Sequence, residues 1–481
     1  CCATVLIIRY IMKFLSSPST SNMLRLDWGA PESIEQSRKM FADHAPFPLF
    51  RVDDFIQDPS TLDRIQDELM DEPFYSKSND LFAFHQSEDL SECSSRNIRD
   101  LISNLYSESF RSSLSALCGI DITADIDVTS SLYRVNDHLL SHDDELLGRR
   151  IAFTLYLVPE TWSSADGGQL DLFSVDECGQ PDQVVKSIVP QRNTLILFEV
   201  SNKSYHQVAE VLSEDKHRLS VHGWFHGEPV KEAALLTQHG DDNDDAKYAA
   251  HIQTVTSDVS SIEALTSDEL RYLESWISPS YFKSQVQKQI SAQFELESQI
   301  DLRSFLLASR WNQVSAALNG IQREDWQFVG PYNKRHFQVL SDPTKSSILS
   351  EVRELIQSHA MRKLLMILAG SYYLITESRS LVRCFNPGSY TLSFDDDPDA
   401  SEPSLDVCLC LTSGEEDAES GSIFYVDEDA EEPMVIISPV ANSLAIILRA
   451  EKGTMRFIKY VNHQTNSRFD VDMTCSIAEP Q

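Results

Sequence analysis

Positive charge is scarce in this sequence of 481 residues: 40 lysines and arginines stand against 74 aspartates and glutamates, which gives a formal net charge of −34. This deficit argues against direct nucleic-acid binding, which needs a basic footprint on the protein. It favours a basic partner, including a basic protein substrate. Long hydrophobic runs are also missing. A membrane-spanning helix needs about 20 apolar residues, and the best candidate, residues 3–12, is shorter and contains Arg9. We therefore expect no membrane segment.

The cysteines lack any pattern that would indicate disulfides or a zinc site. There are nine of them, an odd number, scattered along the chain without paired C-x-x-C spacings. Such cysteines are typical of proteins from reducing compartments. We therefore expect this protein in the cytoplasm, the nucleus or both.

Hydrophobic periodicity changes along the chain from helical to strand-like. Apolar residues recur at helical spacing from about Asn97 to Leu117. Short alternating runs then follow, separated by turn residues such as those at 166–168 and 190–193. Many short strands after helices predict an α+β fold, mainly β, with helices packed outside a barrel or sandwich.

Four short segments recur in the same order in the second half of the chain. They pair residues 140–145 with 392–397, 168–177 with 421–428, 193–197 with 442–446, and His206-Gln207 with His463-Gln464. Four matches in one order indicate two copies of one β fold.

The first copy carries two histidines and an aspartate in the order of a metal site. His142 and Asp144 form an H-x-D pair, and His206 follows much later. Residues two apart in an extended strand point the same way, so we expect His142 and Asp144 to bind one metal from a single strand. Two imidazoles and a carboxylate form the facial triad of Fe(II) oxygenases. An H-x-D pair alone is usually solvated polar sequence, but the later histidine and the β context favour the metal hypothesis.

The second copy lacks the first of these ligands. Phe394 stands at the position of His142 and cannot bind a metal. Asp396 and His463 alone would make a poor iron site. The sequence therefore predicts that the second copy is non-catalytic.

Arg218 follows His206 by one loop, at the start of a strand-like run. Strand alternation places Arg218 and Ser220 on one face. A buried arginine requires an anion, and a carboxylate binds it bidentately. The order H-x-D, His, Arg-x-Ser favours a cosubstrate carboxylate over a surface ion pair. Tyr156 and Tyr133 have hydroxyls that would suit the same molecule, although their spacing fits core or rim positions equally well.

With these residues, the chain resembles the two-domain 2-oxoglutarate and Fe(II)-dependent prolyl hydroxylases that act on a small-subunit ribosomal protein, a group that includes the yeast translation-termination-associated enzyme. The resemblance covers about Phe47 to the C-terminus. Its most specific segments are 141–146, 148–153, 198–201, 206–208 and 223–227. It implies iron on His142, Asp144 and His206, and the cosubstrate on Arg218, Tyr156 and Tyr133.

The resemblance also implies two double-stranded β-helix (jelly-roll) domains with flanking helices and a helical connector. The expected boundaries are a disordered or gene-model leader at 1–35, a catalytic domain at 36–228, a helical connector with an acidic loop at 229–329, and a degenerate, non-catalytic domain at 330–481.

The implied activity is hydroxylation of a prolyl residue of a basic small-subunit ribosomal protein, with an effect on translation accuracy or termination. It would use Fe(II), 2-oxoglutarate and O₂, with ascorbate as reductant. Whether the chain forms a homodimer is left open. One alternative keeps the chemistry but changes the substrate to another protein or a small molecule, because a triad does not encode its substrate. Another makes the chain a non-catalytic translation or sensing scaffold, which the intact first triad disfavours.

Overall fold

The computed structural model describes residues 23–228, 248–256, 264–320, 325–340, 347–370, 373–393, 395, 403–412, 419–427, 432–450 and 453–478. Contacts divide the chain into two units, Cys1–Gly240 (unit 1) and Asp241–Gln481 (unit 2). Both units are built mainly of antiparallel strands with helices. This confirms the predicted mainly β class.

Unit 1 consists of one curled sheet and flanking helices. The helices are α1 (Ile34–Ala42), α2 (Pro59–Asp71), α3 (Arg96–Leu105) and α4 (Glu108–Cys118). The strands are β1 (Leu49–Val52), β2 (Tyr75–Ser78), β3 (Phe82–Gln86), β4 (Ile122–Tyr133), β5 (His138–His142), β6 (Arg149–Tyr156), β7 (Leu170–Val175), β8 (Pro181–Ile188), β9 (Thr194–Glu199), β10 (His206–Val208) and β11 (Arg218–Gly227). Their order is β1-β9-β6-β11-β4-β3-β5-β10-β7-β8, and β2 pairs with β3.

The helical stretch predicted between about Asn97 and Leu117 is present but divided into α3 and α4. The break falls at Ser107, whose hydroxyl accepts a hydrogen bond from the backbone N–H of Phe110 and caps α4. A serine at an N-cap satisfies a backbone donor that the first turn leaves free. The apolar faces of both helices lie in the main core of unit 1.

The predicted leader at 1–35 differs from the structure in its second half. Residues 1–22 lie outside the described part of the chain, but residues 23–35 are folded onto unit 1. Leu24 forms a β-bridge with Ile56, and Trp28 is 6% exposed. The Trp28 ring packs against Phe50 and Phe110 at centroid distances of 6.0 and 6.1 Å. Burial of one large ring orders this segment, and a single ring gives no periodic signal in the sequence.

Unit 2 combines a nine-stranded sheet with a three-stranded sheet. The helices are α5 (Ser267–Glu274), α6 (Ser284–Glu297), α7 (Ala308–Gly320), α8 (Ser347–Gln357) and α9 (His359–Leu368). The strands are β12 (Gln253–Thr256), β13 (Gln299–Leu302), β14 (Trp326–Val329), β15 (Arg335–Leu340), β16 (Leu374–Phe385), β17 (Tyr390–Thr391), β18 (Ser404–Cys410), β19 (Ile423–Asp427), β20 (Val435–Ile437), β21 (Ser443–Arg449), β22 (Thr454–Ile458) and β23 (Arg468–Ala478). The larger sheet runs β13-β21-β18-β23-β16-β15-β14, with β12 on β16 and β17 on β15, and the smaller runs β20-β19-β22.

The segment interpreted as a helical connector, 229–329, contributes its described residues from 248 onward to unit 2. Strand β12 pairs with β16, and β13 pairs with β21. Leu273, Phe294 and Val314 of the helices lie in the core of this unit. Strands of four residues are too short to show a clear period in sequence. The helical pattern of this segment therefore led to a prediction without the strands β12 and β13.

The same side-chain to backbone hydrogen bonding occurs at Asn193 in unit 1 and at Asn442 in unit 2. Both asparagines have positive φ, 60° and 53°. The Asn193 side chain accepts from the N–H of Ile56 at 2.8 Å and donates to its carbonyl at 2.9 Å. Asn442 does the same with Leu306, at 2.8 and 3.0 Å. The predicted match between 193–197 and 442–446 is therefore structural as well as sequential.

The predicted match between His206 and His463 is wrong. His206 lies in β10 opposite Leu172 of β7. In the repeat Leu172 corresponds to Tyr425 of β19, and the residue opposite Tyr425 is Arg456 of β22. His463 instead lies in an exposed turn. Register thus places Arg456 where unit 1 has His206, while Phe394 and Asp396 lie outside the described residues.

No helix in the described ranges is long and apolar enough to cross a membrane. The seven cysteines within the same ranges are free thiols.

Candidate active site

Two histidines and an aspartate meet at the inner side of the curled sheet of unit 1. His142 ends β5, and His206, its cross-strand partner, begins β10. Their ring centroids are 4.3 Å apart. The Nε2 atom of each ring lies 3.4 Å from a different carboxylate oxygen of Asp144. Among the described residues this is the one cluster of three potential metal ligands whose donor atoms all lie within 4.8 Å of one another.

Asp144 reaches this cluster by a route that the sequence interpretation missed. Strand β5 ends at His142, so the two residues do not share an extended strand. Asp144 has a φ of 64°, in the left-handed region that aspartate tolerates better than most residues. The chain turns there and carries the carboxylate back toward both imidazoles. Backbone strain of this kind often accompanies functional sites.

Backbone carbonyls fix the orientation of both imidazoles. The Nδ1–H of His142 donates to the carbonyl of Leu140 at 2.8 Å, and the Nδ1–H of His206 donates to that of Ser204 at 2.8 Å. With the proton held on Nδ1, each ring presents its Nε2 lone pair toward Asp144. Metal-binding histidines are held in this manner by their second nitrogen. The donor set therefore fits a divalent transition metal such as Fe(II).

The cluster is also electrostatically suited to a cation. Burial opposes ionisation of Asp144, but His142 and His206 outweigh it and hold the pKa of the carboxyl well below its usual value. Burial likewise opposes protonation of His142, and Asp144 reverses this and raises the pKa of that ring. A metal ion and ring protons compete for such a site.

A cavity of about 310 Å³ adjoins the cluster and is lined by His142, Asp144, His206, Arg218 and Ser220, among others. Because these residues come from β5, β10, β11 and the turn after β5, the curl of the sheet creates the cavity. As predicted from alternation, Arg218 and Ser220 of β11 both face it. The site thus brings the His-Asp-His cluster and the buried guanidinium of Arg218 to one cavity.

The guanidinium of Arg218 is held by a glycine turn. Arg218 is 2% exposed, and its Nε–H donates to the carbonyl of Gly168 at 2.8 Å. Gly168 has a φ of +68°, and a Cβ atom there would lie 2.9 Å from Cδ of Arg218. Glycine is therefore required both by the turn and by the close approach of the arginine.

The two predicted tyrosines flank Arg218 but differ in access to the cavity. Tyr133 is the cross-strand partner of Arg218, and the rings of Tyr133 and Tyr156 each lie 5.0 Å from its guanidinium carbon. Tyr133 lines the cavity, whereas Tyr156 is not among the lining residues. The buried hydroxyl of Tyr156 makes no hydrogen bond of good geometry to the described residues, and Arg218 is the polar side chain that interacts with it. Burial raises the pKa of both phenols, so both stay protonated and able to donate.

Three further lining residues, His222, Trp224 and Arg149, were not among the predicted site residues. His222 and Trp224 continue the alternation that begins at Arg218 and Ser220, a signal that was available in the sequence. Nε2 of His222 and the Ser131 hydroxyl share a hydrogen bond of 2.7 Å. The indole N–H of Trp224 is buried without a partner among the described residues, and Arg149 stacks on its ring at 3.5 Å.

We expect His222 to make unit 1 sensitive to acid. Burial lowers the pKa of this ring to about 4, below its ordinary value, so the unfolded chain binds the additional proton first as pH falls. From about pH 7 to about pH 5.5, the wild-type chain should lose about 1 kcal/mol more unfolding free energy than His222→Gln. Urea unfolding of the metal-free proteins at both pH values measures this difference. The exposed His217, changed to Gln, is the control, and equal acid sensitivity of wild type and His222→Gln would contradict the assignment.

Two solved prolyl hydroxylases each match less than half of the chain. A prolyl-4-hydroxylase from Pseudomonas putida shares 19% identity with it, over 40% of this chain and 99% of that one, with a TM-score of 0.33. A prolyl hydroxylase from Trichoplax adhaerens, solved with a hypoxia-inducible-factor peptide fragment, gives 19% identity, 44% and 97% coverage, and a TM-score of 0.35.

Sequence families match both halves of the chain. The 2OG-Fe(II) oxygenase superfamily matches residues 128–226, from β4 to β11. The family described as oxoglutarate and iron-dependent oxygenase degradation C-term matches residues 268–481. The first match contains the His-Asp-His cluster and Arg218.

Curated relatives match across most of their length. Prolyl 3-hydroxylase OGFOD1 of Xenopus laevis is 34% identical over 459 residues, which cover 89% of this chain and 85% of the relative. The mouse protein of the same name is 32% identical, with 88% and 86% coverage. Prolyl 3,4-dihydroxylase OGFOD1 of Ostreococcus tauri is 28% identical, with 89% and 94% coverage. Together with the cluster in unit 1, these matches show that the chain belongs to the OGFOD1 family of prolyl hydroxylases and is a 2-oxoglutarate- and Fe(II)-dependent dioxygenase.

Proposed function

We propose that this enzyme hydroxylates a prolyl residue of a basic small-subunit ribosomal protein and thereby affects translation accuracy or termination. The observation that carries the proposal is the single cavity in which the His-Asp-His cluster, Arg218 and Trp224 meet. The net charge of −34 supports a basic protein as substrate, because complementary charge accelerates encounter with the correct partner. The curated relatives carry prolyl hydroxylase names, which supports proline as the target.

We assign Fe(II) to the Nε2 atoms of His142 and His206 and the carboxylate of Asp144. Bound there with 2-oxoglutarate and O₂, the metal would supply oxidation of a C–H bond coupled to decarboxylation of the cosubstrate to succinate and CO₂. The protein chain itself positions the reactants. The carbonyls of Leu140 and Ser204 hold the imidazole protons away from the metal side.

Arg218 would bind the distal carboxylate of 2-oxoglutarate and so direct its 2-oxo acid end toward the cluster. The hydrogen bond to Gly168 holds the guanidinium in place before the cosubstrate arrives, which lowers the entropic cost of binding. We assign Tyr133 and Tyr156 as phenol donors beside that carboxylate. The Tyr156 hydroxyl supports this role, since it is buried beside Arg218 without a hydrogen bond of good geometry and buried polar groups are nearly always hydrogen-bonded.

Trp224 and Arg149 would contact the substrate. A peptide bond to proline offers a carbonyl acceptor but no N–H donor. The buried indole N–H of Trp224 needs an acceptor, and its ring is held by Arg149. The Trp224 indole therefore matches what a prolyl peptide presents.

We further propose that both units are double-stranded β-helix domains and that the second is non-catalytic. The equivalent hydrogen bonds of Asn193 and Asn442 support a common fold. Arg456 at the position of His206 supports the loss of a metal site in unit 2. The catalytic domain would lie in unit 1 and the degenerate one in unit 2, with residues 23–35 and the described residues of the connector as parts of those units. We also propose that ascorbate serves as reductant, that the protein is located in the cytoplasm or nucleus, and that it forms a homodimer.

Incubation of the full chain with Fe(II), 2-oxoglutarate, ascorbate and the small-subunit ribosomal protein tests the function. We expect mass spectrometry to show a proline that has gained one oxygen, and amino-acid analysis to identify the hydroxylated carbon. Trp224→Phe keeps a ring but removes the N–H donor. It should raise the KM for the protein substrate roughly 10-fold, the effect of about 1.4 kcal/mol, with little change in the KM for 2-oxoglutarate.

The outcomes separate the competing hypotheses. Succinate formed without oxidation of the ribosomal protein would favour another protein or a small molecule as substrate. Oxidation that is equal in wild type and His142→Ala would contradict the proposed site. Family membership already disfavours the scaffold hypothesis, since the chain is an enzyme.

A further inference from the structure

Unit 2 contains an arginine placed as Arg218 is in unit 1. Arg468 begins β23, as Arg218 begins β11. The cross-strand partner of Arg218 is Tyr133, the last residue of β4, and that of Arg468 is Phe385, the last residue of β16. Both arginines are buried, at 2% and 4% exposure. The two strand pairs therefore present their arginines in the same register.

The two guanidinium groups are also held in the same way. Arg218 donates to the carbonyl of Gly168, and Arg468 donates to the carbonyl of Gly421. Both glycines have positive φ, 68° and 72°. They are also equivalent in the sequence repeat. Unit 2 thus retains the arginine and its support.

The units differ two residues further along the same strand. In unit 1, Ser220 pairs across the ladder with Ser131, and Ser220 lines the cavity. In unit 2 the corresponding cross-strand pair is Asp470 with Arg383. Two small neutral side chains are therefore replaced by two larger, oppositely charged ones.

Asp470 is a fully buried carboxylate shared by two arginines. One oxygen lies 2.8 Å from Nη2 of Arg468. Arg383 binds the same carboxylate bidentately, with distances of 2.8 and 3.1 Å. Burial alone would raise the pKa of Asp470, but Arg383 and Arg468 reverse this and hold it below its usual value. The Asp470 side chain thus supplies to Arg468 the anion that Arg218 lacks within its own strand.

Unit 2 also has a charged side chain at the position that His206 occupies in unit 1. Arg456, which stands where unit 1 has His206, contacts Asp472 at 3.3 Å and Asp406 at 3.3 Å. Asp406 is 1% exposed and also pairs with Arg449. The interior of unit 2 is therefore crossed by ion pairs where unit 1 has its cavity.

We propose that Asp470 occupies, within the chain itself, the place of a ligand carboxylate on Arg468. Unit 2 is then a carboxylate site closed by its own side chain, so it takes no 2-oxo acid, and the chain binds one 2-oxoglutarate, in unit 1. Removal of this side chain opens a site for a small carboxylate. The inference rests on the proposed role of Arg218 as the cosubstrate anchor.

Chemical rescue of the full-length chain tests the proposal without any need for turnover. Asp470→Ser copies the residue of unit 1 and leaves Arg468 and Arg383 without their shared anion. We expect its melting temperature to fall and sodium formate to restore at least half of the loss, whereas sodium chloride at equal ionic strength restores little. Asp406→Ser removes another buried, arginine-paired carboxylate and is the matched control, with weaker rescue expected. No rescue of Asp470→Ser, or equal rescue of both variants, overturns the proposal.

Binding stoichiometry of the unaltered chain gives an independent measurement if Asp470→Ser does not fold. Equilibrium dialysis with Mn(II) and labelled 2-oxoglutarate should give one bound molecule per chain, and none for Arg218→Met. Two molecules per chain, or one retained by Arg218→Met and lost by Arg468→Met, overturn the proposal. Failure of ribosomal-protein hydroxylation with this stoichiometry intact would instead count against the substrate assignment alone.

Discussion

Asp144→Asn should reduce succinate formation by far more than the roughly 10- to 100-fold that loss of an outer-shell partner of a metal ligand costs. The change keeps the size of the side chain but removes the charge that faces Nε2 of both His142 and His206. Without that carboxylate the site has two neutral imidazoles, a set that binds Fe(II) poorly. The measurement is succinate release at saturating 2-oxoglutarate, together with iron content after dialysis.

The neighbouring Asp143 provides a matched control for this substitution. It lies in the same turn, where its carboxylate accepts from the N–H of Glu145 at 3.0 Å and takes no part in the cluster. Asp143→Asn should retain most of the activity and the iron. If Asp144→Asn retained full activity, or if Asp143→Asn lost as much, the assignment of the metal to this cluster would be wrong.

Arg218→Met should weaken 2-oxoglutarate binding by roughly 30- to 5,000-fold, because loss of one member of a buried, hydrogen-bonded charge pair costs about 2–5 kcal/mol. Methionine fills much of the space beside Tyr133 and Tyr156 but offers no donor to a carboxylate. The effect should appear in the KM for 2-oxoglutarate and in its dissociation constant measured with Mn(II). The KM for the protein substrate should change far less.

Arg218→Lys and a surface arginine separate charge from geometry. Lysine keeps the charge but cannot form the bidentate pair, so an intermediate loss is expected. Arg96, whose side chain is 88% exposed, should tolerate the change to Met without effect on either KM. Unchanged 2-oxoglutarate affinity in Arg218→Met would place the cosubstrate anchor elsewhere.

Much of unit 1 could be predicted because its signals are local. Alternation from Arg218 to Ser220 predicts two residues on one face, and both line the cavity. The same alternation extends to His222 and Trp224, which were not among the predicted site residues. Period-two spacing identifies a shared face, but the sequence alone does not say that this face lines a cavity.

Other errors arose where structure depends on contacts distant in sequence. The match of His206 with His463 relied on one identical dipeptide, His-Gln. The strand register instead shows Arg456 at the position equivalent to His206. The strands β12 and β13 were missed because each gains its stability from a partner more than a hundred residues away. The amino-acid composition of a short strand does not indicate which distant strand it pairs with.

The sequence by itself determined the class of fold, the acidic character, the repeat, and the identity of His142, Asp144, His206 and Arg218 as residues to consider together. Residue order and periodicity suffice for this, because they are properties of the chain. Only the tertiary structure decided how these groups meet: Asp144 turns back through a positive φ, and Gly168 holds Arg218. It also decided that Arg468 is neutralised by Asp470, because the distance between two charges is fixed by folding and not by their order in the chain.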